Sequence, residues 1–267
     1  MESNPEYLGQ RLTVPEHLQA IYSHFYFAEN RSKQTMKQTL LPSFQVMLIF
    51  SLGAPISIQL QNQKTLIVDR YLMLGPVKQA IEYQLPPKSE IIVIHFLGDG
   101  FYRLFGCGRV DPQFESSLDE DCFMGMRKEL DQLSDATSRS EYLISVGESY
   151  LRDAPDVNLN FAHNRSQQPQ IKRTAEKYGK NIRTLQLQYQ KQLGFSAKEY
   201  SRYQRFIQAI ESIQSCVDRA LVVNWAEIVF ECGYYDQSHL IRDFKHYLHL
   251  SPSQYLDIQC QVCGVPT

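Results

Sequence analysis

The residues best suited to chemistry lie near the end of the chain. Across 237–248, Gln237, Ser238, His239 and Arg242 would share one side of a helix, with Leu240, Phe244 and Leu248 on the other. An amide, a hydroxyl, an imidazole and a guanidinium facing outward can hydrogen-bond to base edges in the major groove of DNA. A second stretch repeats the arrangement. Over 182–193 the inner face would be Ile182, Leu185, Tyr189 and Leu193, and the outer face Arg183, Gln186, Leu187 and Gln190. Leu187 can offer only apolar contact, for example to a thymine methyl. Lys245, Arg202 and Arg205 are candidates for phosphate contacts. For the two arginines a merely solvated face is the alternative.

Other chemistry finds little support. No Gly-x-Ser-x-Gly, phosphate loop or His-Glu-x-x-His is present, so no catalytic set can be named. His17, His24 and His95 stand apart without any His-x-His, and no metal or cofactor is expected. His95 lies on an apolar stretch and reads as a hydrogen-bonded core or interface group. Phe25, Tyr26, Phe50, Tyr83 and His95 could line an effector pocket, with plain core as the alternative. Cys260-Gln-Val-Cys263 has redox or zinc spacing, but no second pair completes a site. A disordered tail is expected there, and a thiol sensor stays open.

These residues need elements to hold them. Ahead of 237, the stretch 224–232 reads as a first helix with Ala226, Val229 and Phe230 inward. Gly233 can end it in the left-handed conformation, and Asp236 can cap the next helix. Earlier, 170–178 reads as a helix, Gly179 as its end and Asn181 as the cap of 182–193. Between the two pairs, Tyr200, Tyr203, Phe206, Ile207, Ile210 and Ile213 form an apolar stripe over 198–213, a connecting helix. The stretch 157–163 could add a helix behind the readers.

The first part of the chain has a different grain. Runs at 44–52, 56–60, 65–74, 80–85 and 91–97 are β-branched and aromatic, and turn residues such as Gly53-Ala-Pro55, Pro86-Pro87 and Gly98-Asp-Gly100 punctuate them. A further strand is expected within 15–30, after a short helix. Five or more short strands at this spacing predict an all-β barrel or sandwich. Helical spacing returns at 124–133 and 141–151, either pairing two copies of the chain or covering the end of the barrel. Asp153-Ala-Pro-Asp156 reads as a domain boundary.

Length and charge agree with two domains. The chain has 267 residues, 43% of them apolar and 21% charged, with a formal net charge of −2. The charge is uneven. Residues 166–259 hold 12 Lys and Arg against 9 Asp and Glu, and 1–165 hold 15 against 20. The later part is only mildly basic, which predicts modest DNA affinity per copy and help from dimerisation. No run of eighteen apolar residues predicts a membrane span, and the N-terminus lacks a basic start and apolar core. The six cysteines are scattered, which suits a reducing compartment, so a cytoplasmic protein is expected.

The motifs then converge on a family. Gly233-Tyr234, Arg242-Asp-Phe-Lys245 and Ser251-Pro-Ser-Gln-Tyr255, in this order, resemble the second helix-turn-helix of the AraC/XylS transcription regulators. Ala175, Gly179, Arg183-Thr-Leu185, Tyr189, Gly194-Phe-Ser196 and Tyr200 resemble the first. The chain departs from the pattern in three places. Asn181 caps where the family usually has Ser, Leu187 stands where Arg is most common, and Leu250 stands where Gly is common. Leu41-Pro42, Gly75-Pro76 and the strand leading to Phe101-Tyr-Arg-Leu-Phe105-Gly resemble, more loosely, the family's cupin-like sensor domain. Some DNA-repair alkyltransferases carry a related helix-turn-helix module beside a reactive Cys. None of the six cysteines here has the Pro-Cys-His setting they use.

The combined expectation is an α+β chain. Residues 1–110 form a cupin-like β domain and 111–154 a helical connector with a dimerising role. Residues 155–259 form an all-α DNA-binding domain with two helix-turn-helix units, and 260–267 a tail. The expected function is sequence-specific DNA binding in transcription regulation, not catalysis. The expected partners are double-stranded DNA, a small-molecule effector, RNA polymerase and a second copy of the chain. The alternative is a ligand-independent regulator or protein-docking module with a degenerate DNA-binding domain.

Overall fold

The computed structural model describes residues 6–60, 64–75, 77–106, 120–152, 170–219 and 221–263. The first domain is two antiparallel sheets. Strands β1 (Tyr7–Leu12), β2 (Tyr22–Asn30), β9 (Glu90–Phe96), β4 (Met47–Ser51) and β7 (Tyr71–Leu74) form one, in that order. Strands β3 (Met36–Leu40), β8 (Ile81–Leu85), β5 (Ile56–Gln59) and β6 (Thr65–Val68) form the other. A 3-10 turn, Glu16–Leu18, precedes β2. The five-stranded sheet is covered on both faces. Phe25, Phe27, Leu48, Phe50, Ile92 and Ile94 point toward helices; Ala28, Met47, Ile49, Ile91 and Val93 point toward the other sheet. That double cover explains why β4 is apolar at nearly every position instead of alternating.

The covering helices are α1 (Gly100–Phe105), α2 (Glu120–Gln132) and α3 (Ala136–Tyr150). Phe101-Tyr-Arg-Leu-Phe105 therefore forms a helix, and Phe101 and Leu104 pack under the sheet. Phe123, Met126, Leu130 and Leu143 spend the apolar faces of α2 and α3 on that sheet, so these helices cover the β domain. Gly147 lets α3 come close to β2, since a Cβ there would lie 2.5 Å from the Tyr22 hydroxyl. Arg139, buried, locks the layers. It pairs with Glu90 at the start of β9, and its Nε donates to the Leu130 and Leu133 carbonyls at 3.1 and 2.9 Å.

The second domain is helical: α4 (Gln170–Tyr178), α5 (Ile182–Leu193), α6 (Ala197–Asp218), α7 (Trp225–Glu231), α8 (Gln237–Leu248) and α9 (Pro252–Cys263). Its core gathers Leu185, Tyr189, Leu193, Phe206, Ala209, Ile213, Ile228, Leu240, Phe244 and Tyr247 around α6. The backbone of 260–263 continues α9, which corrects the disordered tail expected from residue 260. The helix expected at 157–163 and the boundary at 153–156 lie outside the described residues. Among the described residues, no helix is long and apolar enough to cross a membrane.

Candidate nucleic-acid interface

Each helix expected to read DNA is held by local devices. Gly179, at φ +59°, turns the chain after α4, and the Asn181 carboxamide oxygen accepts from the Arg183 N–H at 2.8 Å. Gly233, at φ +72°, does the same after α7, and Asp236 accepts from the His239 N–H at 2.6 Å. Only glycine enters this backbone region without strain, and a side-chain oxygen satisfies amides that the first helical turn leaves free. Both spans of reading helix agree with the periodicity. Helix α8 ends with His249 in the left-handed region, φ +61°, just before Leu250. Ser251 and Gln254 then bond reciprocally, with Pro252 in the first helical position, and start α9.

The outer faces carry the expected groups. Arg183, Gln186, Leu187 and Gln190 are exposed along α5, with Leu187 at 64%. Gln237, Ser238, Arg242 and Lys245 are exposed along α8. Helix α6 stands between the two units. At 1.5 Å per residue its 22 residues span about 33 Å, close to one turn of DNA at about 34 Å. A capping box between Ser196 and Glu199 starts it.

Residues 174–258 match a family described as a helix-turn-helix domain, and the span takes in both units. That C-terminal domain is a helix-turn-helix of the AraC type. It supports a DNA-binding transcription regulator. Residues 10–110 match a second family, described as a domain of unknown function (DUF6597). No curated protein matches the sequence. Among solved structures, ToxT from Vibrio cholerae aligns over 95% of this chain and 98% of its own, at 11% identity and a TM-score of 0.42. ToxT from Vibrio cholerae O395 bound to (E)-4-(8-methylnaphthalen-1-yl)but-3-enoic acid aligns over 95% and 99%, at 12% identity and a TM-score of 0.43. A putative ethanolamine utilization protein from Salmonella typhimurium covers 34% of this chain and 68% of its own, at 11% identity and a TM-score of 0.26. Likenesses this loose set neither ligand nor mechanism.

Within this helix-turn-helix domain several side chains are not where periodicity put them. Arg202 turns into the protein: its Nε donates to the Asp243 carboxylate at 2.7 Å, and its guanidinium lies over the Tyr247 ring. Asp243 is buried on α8, so the pair bolts α8 to α6. Arg205 donates to the Gly233 carbonyl at 3.3 Å and lies over Tyr234. The two arginines expected at phosphates are thus engaged in holding the second unit, and the third candidate, Lys245, stays exposed. His239 is half-buried and meets the Tyr234 ring edge-on at 5.1 Å, which leaves it less free than its neighbours. Phe230, expected inward, is 82% exposed, and Ile228 takes its place in the core. Three consecutive apolar residues on a short helix cannot all face one way. Tyr235, 91% exposed just before α8, stands beside the reading face and was missed because it falls in the turn.

The five pocket candidates separate. Phe25 and Phe50 are fully buried core on the helix side of the sheet. Tyr26, Tyr83 and His95 turn toward the space between the sheets. They are joined there by His24, the cross-strand partner of His95, and by Arg11 and Tyr7 of the edge strand. The Tyr7 and Tyr26 hydroxyls share a hydrogen bond of 2.7 Å. Burial pushes the Tyr83 hydroxyl up to about 12 and holds His24 and His95 down at about 4 and about 3, with Arg11 adding to the depression of both imidazoles. The sequence hid this grouping because each residue sits alone on its own strand. Among the described residues no cluster of three or more His, Cys, Asp or Glu could hold a metal.

The β domain touches the reader directly. Phe44, buried, leaves its own domain and stacks on Tyr203 of α6 at 4.3 Å between centroids, edge-on to Phe195 at the end of the first unit. The Tyr203 hydroxyl donates to the Pro42 carbonyl at 3.1 Å, and Lys78 donates to Glu199 at 2.5 Å. The Ala80 N–H donates to the Tyr247 carbonyl of α8 at 2.9 Å. A groove of about 330 Å³, lined by Gln59, Gln79, Glu82 and His249 among others, lies along this junction.

Proposed function

We propose that this chain regulates transcription by laying α5 and α8 in successive major grooves on one face of the duplex. The observation that carries the reading is the pair of capped, exposed helices joined through α6, itself about 33 Å long. Lys245 and neighbouring cations neutralise phosphates and hold the register. Arg242, Gln237, Ser238, Arg183, Gln186 and Gln190 read base edges, Arg242 by a bidentate contact to guanine, with His239 in a lesser role. Leu187 supplies an apolar contact to a thymine methyl. An effector bound in the β domain shifts the reader by favouring one arrangement of the Phe44 junction over another, since a ligand moves an equilibrium only through differential affinity. We further propose that the protein works as a homodimer in the cytoplasm and, once on DNA, contacts RNA polymerase.

A second reading draws on the weak positive charge and on Arg202 and Arg205 facing inward. In it, the helical domain serves protein contacts. One experiment separates the two: footprinting and titration of the full chain on its own upstream DNA at several salt concentrations. A discrete protected site whose affinity falls steeply with salt supports the regulator. Weak, sequence-blind binding sinks it and leaves the docking module.

A further inference from the structure

Two loops of the β domain, 41–46 and 77–80, are tied to each other by an isolated antiparallel bridge, in which Ser43 and Val77 exchange backbone hydrogen bonds at 2.9 and 2.8 Å. Together they reach three parts of the helical domain. Phe44 enters between Phe195, which follows α5, and Tyr203 near the start of α6. Phe195 in turn stacks on Tyr200 at 5.3 Å. Lys78 donates to one oxygen of Glu199, whose other oxygen accepts from the Ser196 N–H in the capping box of α6. The Ala80 N–H donates to the Tyr247 carbonyl, one of those that the end of α8 leaves without an intrahelical partner.

Phe44 is 7% exposed, yet the core that buries it belongs to the helical domain. Without the β domain the slot between Phe195 and Tyr203 would lie open. The contacts also avoid the surfaces expected to read DNA. Arg183, Gln186, Leu187 and Gln190 on α5 stay exposed, as do Gln237, Ser238, Arg242 and Lys245 on α8. The loops therefore hold the back of the reader and leave its front open to a duplex. They reach both of its halves, which α6 alone ties unequally. Helix α8 is bolted to α6 through Arg202 and Asp243, whereas α5 rests on its neighbours by apolar packing. An aromatic wedge against the residue that follows α5 limits how far α5 can tilt, because close-packed side chains transmit displacement instead of absorbing it.

We propose that these two loops are a working part of the reader: they brace α5 against α8 and so set the spacing between the two stretches of bases that one chain accepts. This rests on the two-helix reading given above. Phe44 is then a positioning residue that decides specificity without touching DNA. It acts through Phe195 on the end of α5 and through Tyr203 on α6, while Ala80 holds the end of α8. The Ser43–Val77 bridge makes the two loops move as one piece, so the end of α5 and the end of α8 are referred to a single rigid support.

The test titrates the full chain on the site it protects in its own upstream DNA, and on the same duplex with base pairs inserted or removed between the two protected grooves. Each base pair shifts the far groove by about 3.4 Å. Wild type should bind the natural spacing at least about tenfold tighter than the altered ones. Phe44→Ala should cut that preference to about threefold or less, with single-base discrimination inside each groove retained. A reader that had merely unfolded would lose both. Phe44→Leu, which keeps most of the apolar volume, should restore much of the preference. Should Phe44→Ala fail to fold in a thermal melt, the pair Lys78→Gln and Tyr203→Phe decides by the same ratio, since it removes polar ties at the junction without hollowing it. The brace is overturned if a folded Phe44→Ala, or that pair in its place, keeps the full spacing preference. It is equally overturned if either binds the natural site tighter than wild type, which would make the junction an inhibitory clasp. A wild type that protects a discrete site yet tolerates every spacing loses the brace and keeps the regulator; one that protects no site loses both.

Discussion

In the first helix-turn-helix unit, α5 is anchored by apolar side chains, Leu185, Tyr189 and Leu193, and the β domain reaches its end through Phe44. In the second, α8 is anchored by Leu240 and Phe244 and also by the buried Asp243, which takes the Arg202 guanidinium of α6, while Arg205 holds the Gly233 carbonyl. An ion pair fixes direction; apolar contact fixes distance with less direction. The second unit is therefore tied to α6 in one orientation. The first is placed by packing, and α6 next to it is tied to the β domain by Lys78 to Glu199 and by Tyr203 to Pro42. One half is held to α6 by a directional ion pair and the other by packing.

The strongest way to break this comparison is to hollow each core. Phe244→Ala should cost about 3–5 kcal/mol and Leu185→Ala about 2–5 kcal/mol in denaturant unfolding. A cost below about 1 kcal/mol at Leu185 would mean the first unit is not packed as described.

Next comes the bolt. Arg202→Met leaves the buried Asp243 carboxylate without its cation and should cost about 2–3 kcal/mol, less than a fully buried pair because Arg202 is partly open to water. DNA affinity should fall with an unchanged salt slope. Lys245→Ala should instead leave stability alone and lower the salt slope by about one. If Arg202→Met lowers the slope too, the arginine is a phosphate contact after all.

The reading faces should differ more mildly. Arg242→Ala should remove about 1–3 kcal/mol of discrimination at one base position, whereas Leu187→Ala should change affinity by less than about 1 kcal/mol, measured against a panel of single-base operator variants. Equal losses would make the two units equivalent readers. Smallest of all, Phe230→Ser should stay within about 0.5 kcal/mol of wild-type stability, because the ring is in water. A large loss would restore the inward placement that periodicity predicted.

Much of the reader was legible because its signals are local. Asn181 and Asp236 cap helices that start one residue later, Gly179 and Gly233 supply left-handed turns, and the stripe from Tyr200 to Ile213 runs along α6. Strands β4, β8 and β9 were equally plain, since burial on one or both faces writes itself into runs of Ile, Leu and Val. The edge strands β1 and β3 were missed: with one side in water, Tyr-Leu-Gly-Gln-Arg-Leu and Met-Lys-Gln-Thr-Leu carry little periodic signal.

The sequence by itself determined where α5 and α8 begin and end, most of the inner face of α6 and which family's motifs are present. Those follow from interactions within a few residues. Only the tertiary structure decided what the lone polar side chains do. It turned Arg202 and Arg205 inward onto α8 and its preceding turn, placed Phe44 in the core of the other domain, and stacked His24 on His95. A charge or ring finds its partner across the fold, by register and packing that no local spacing records.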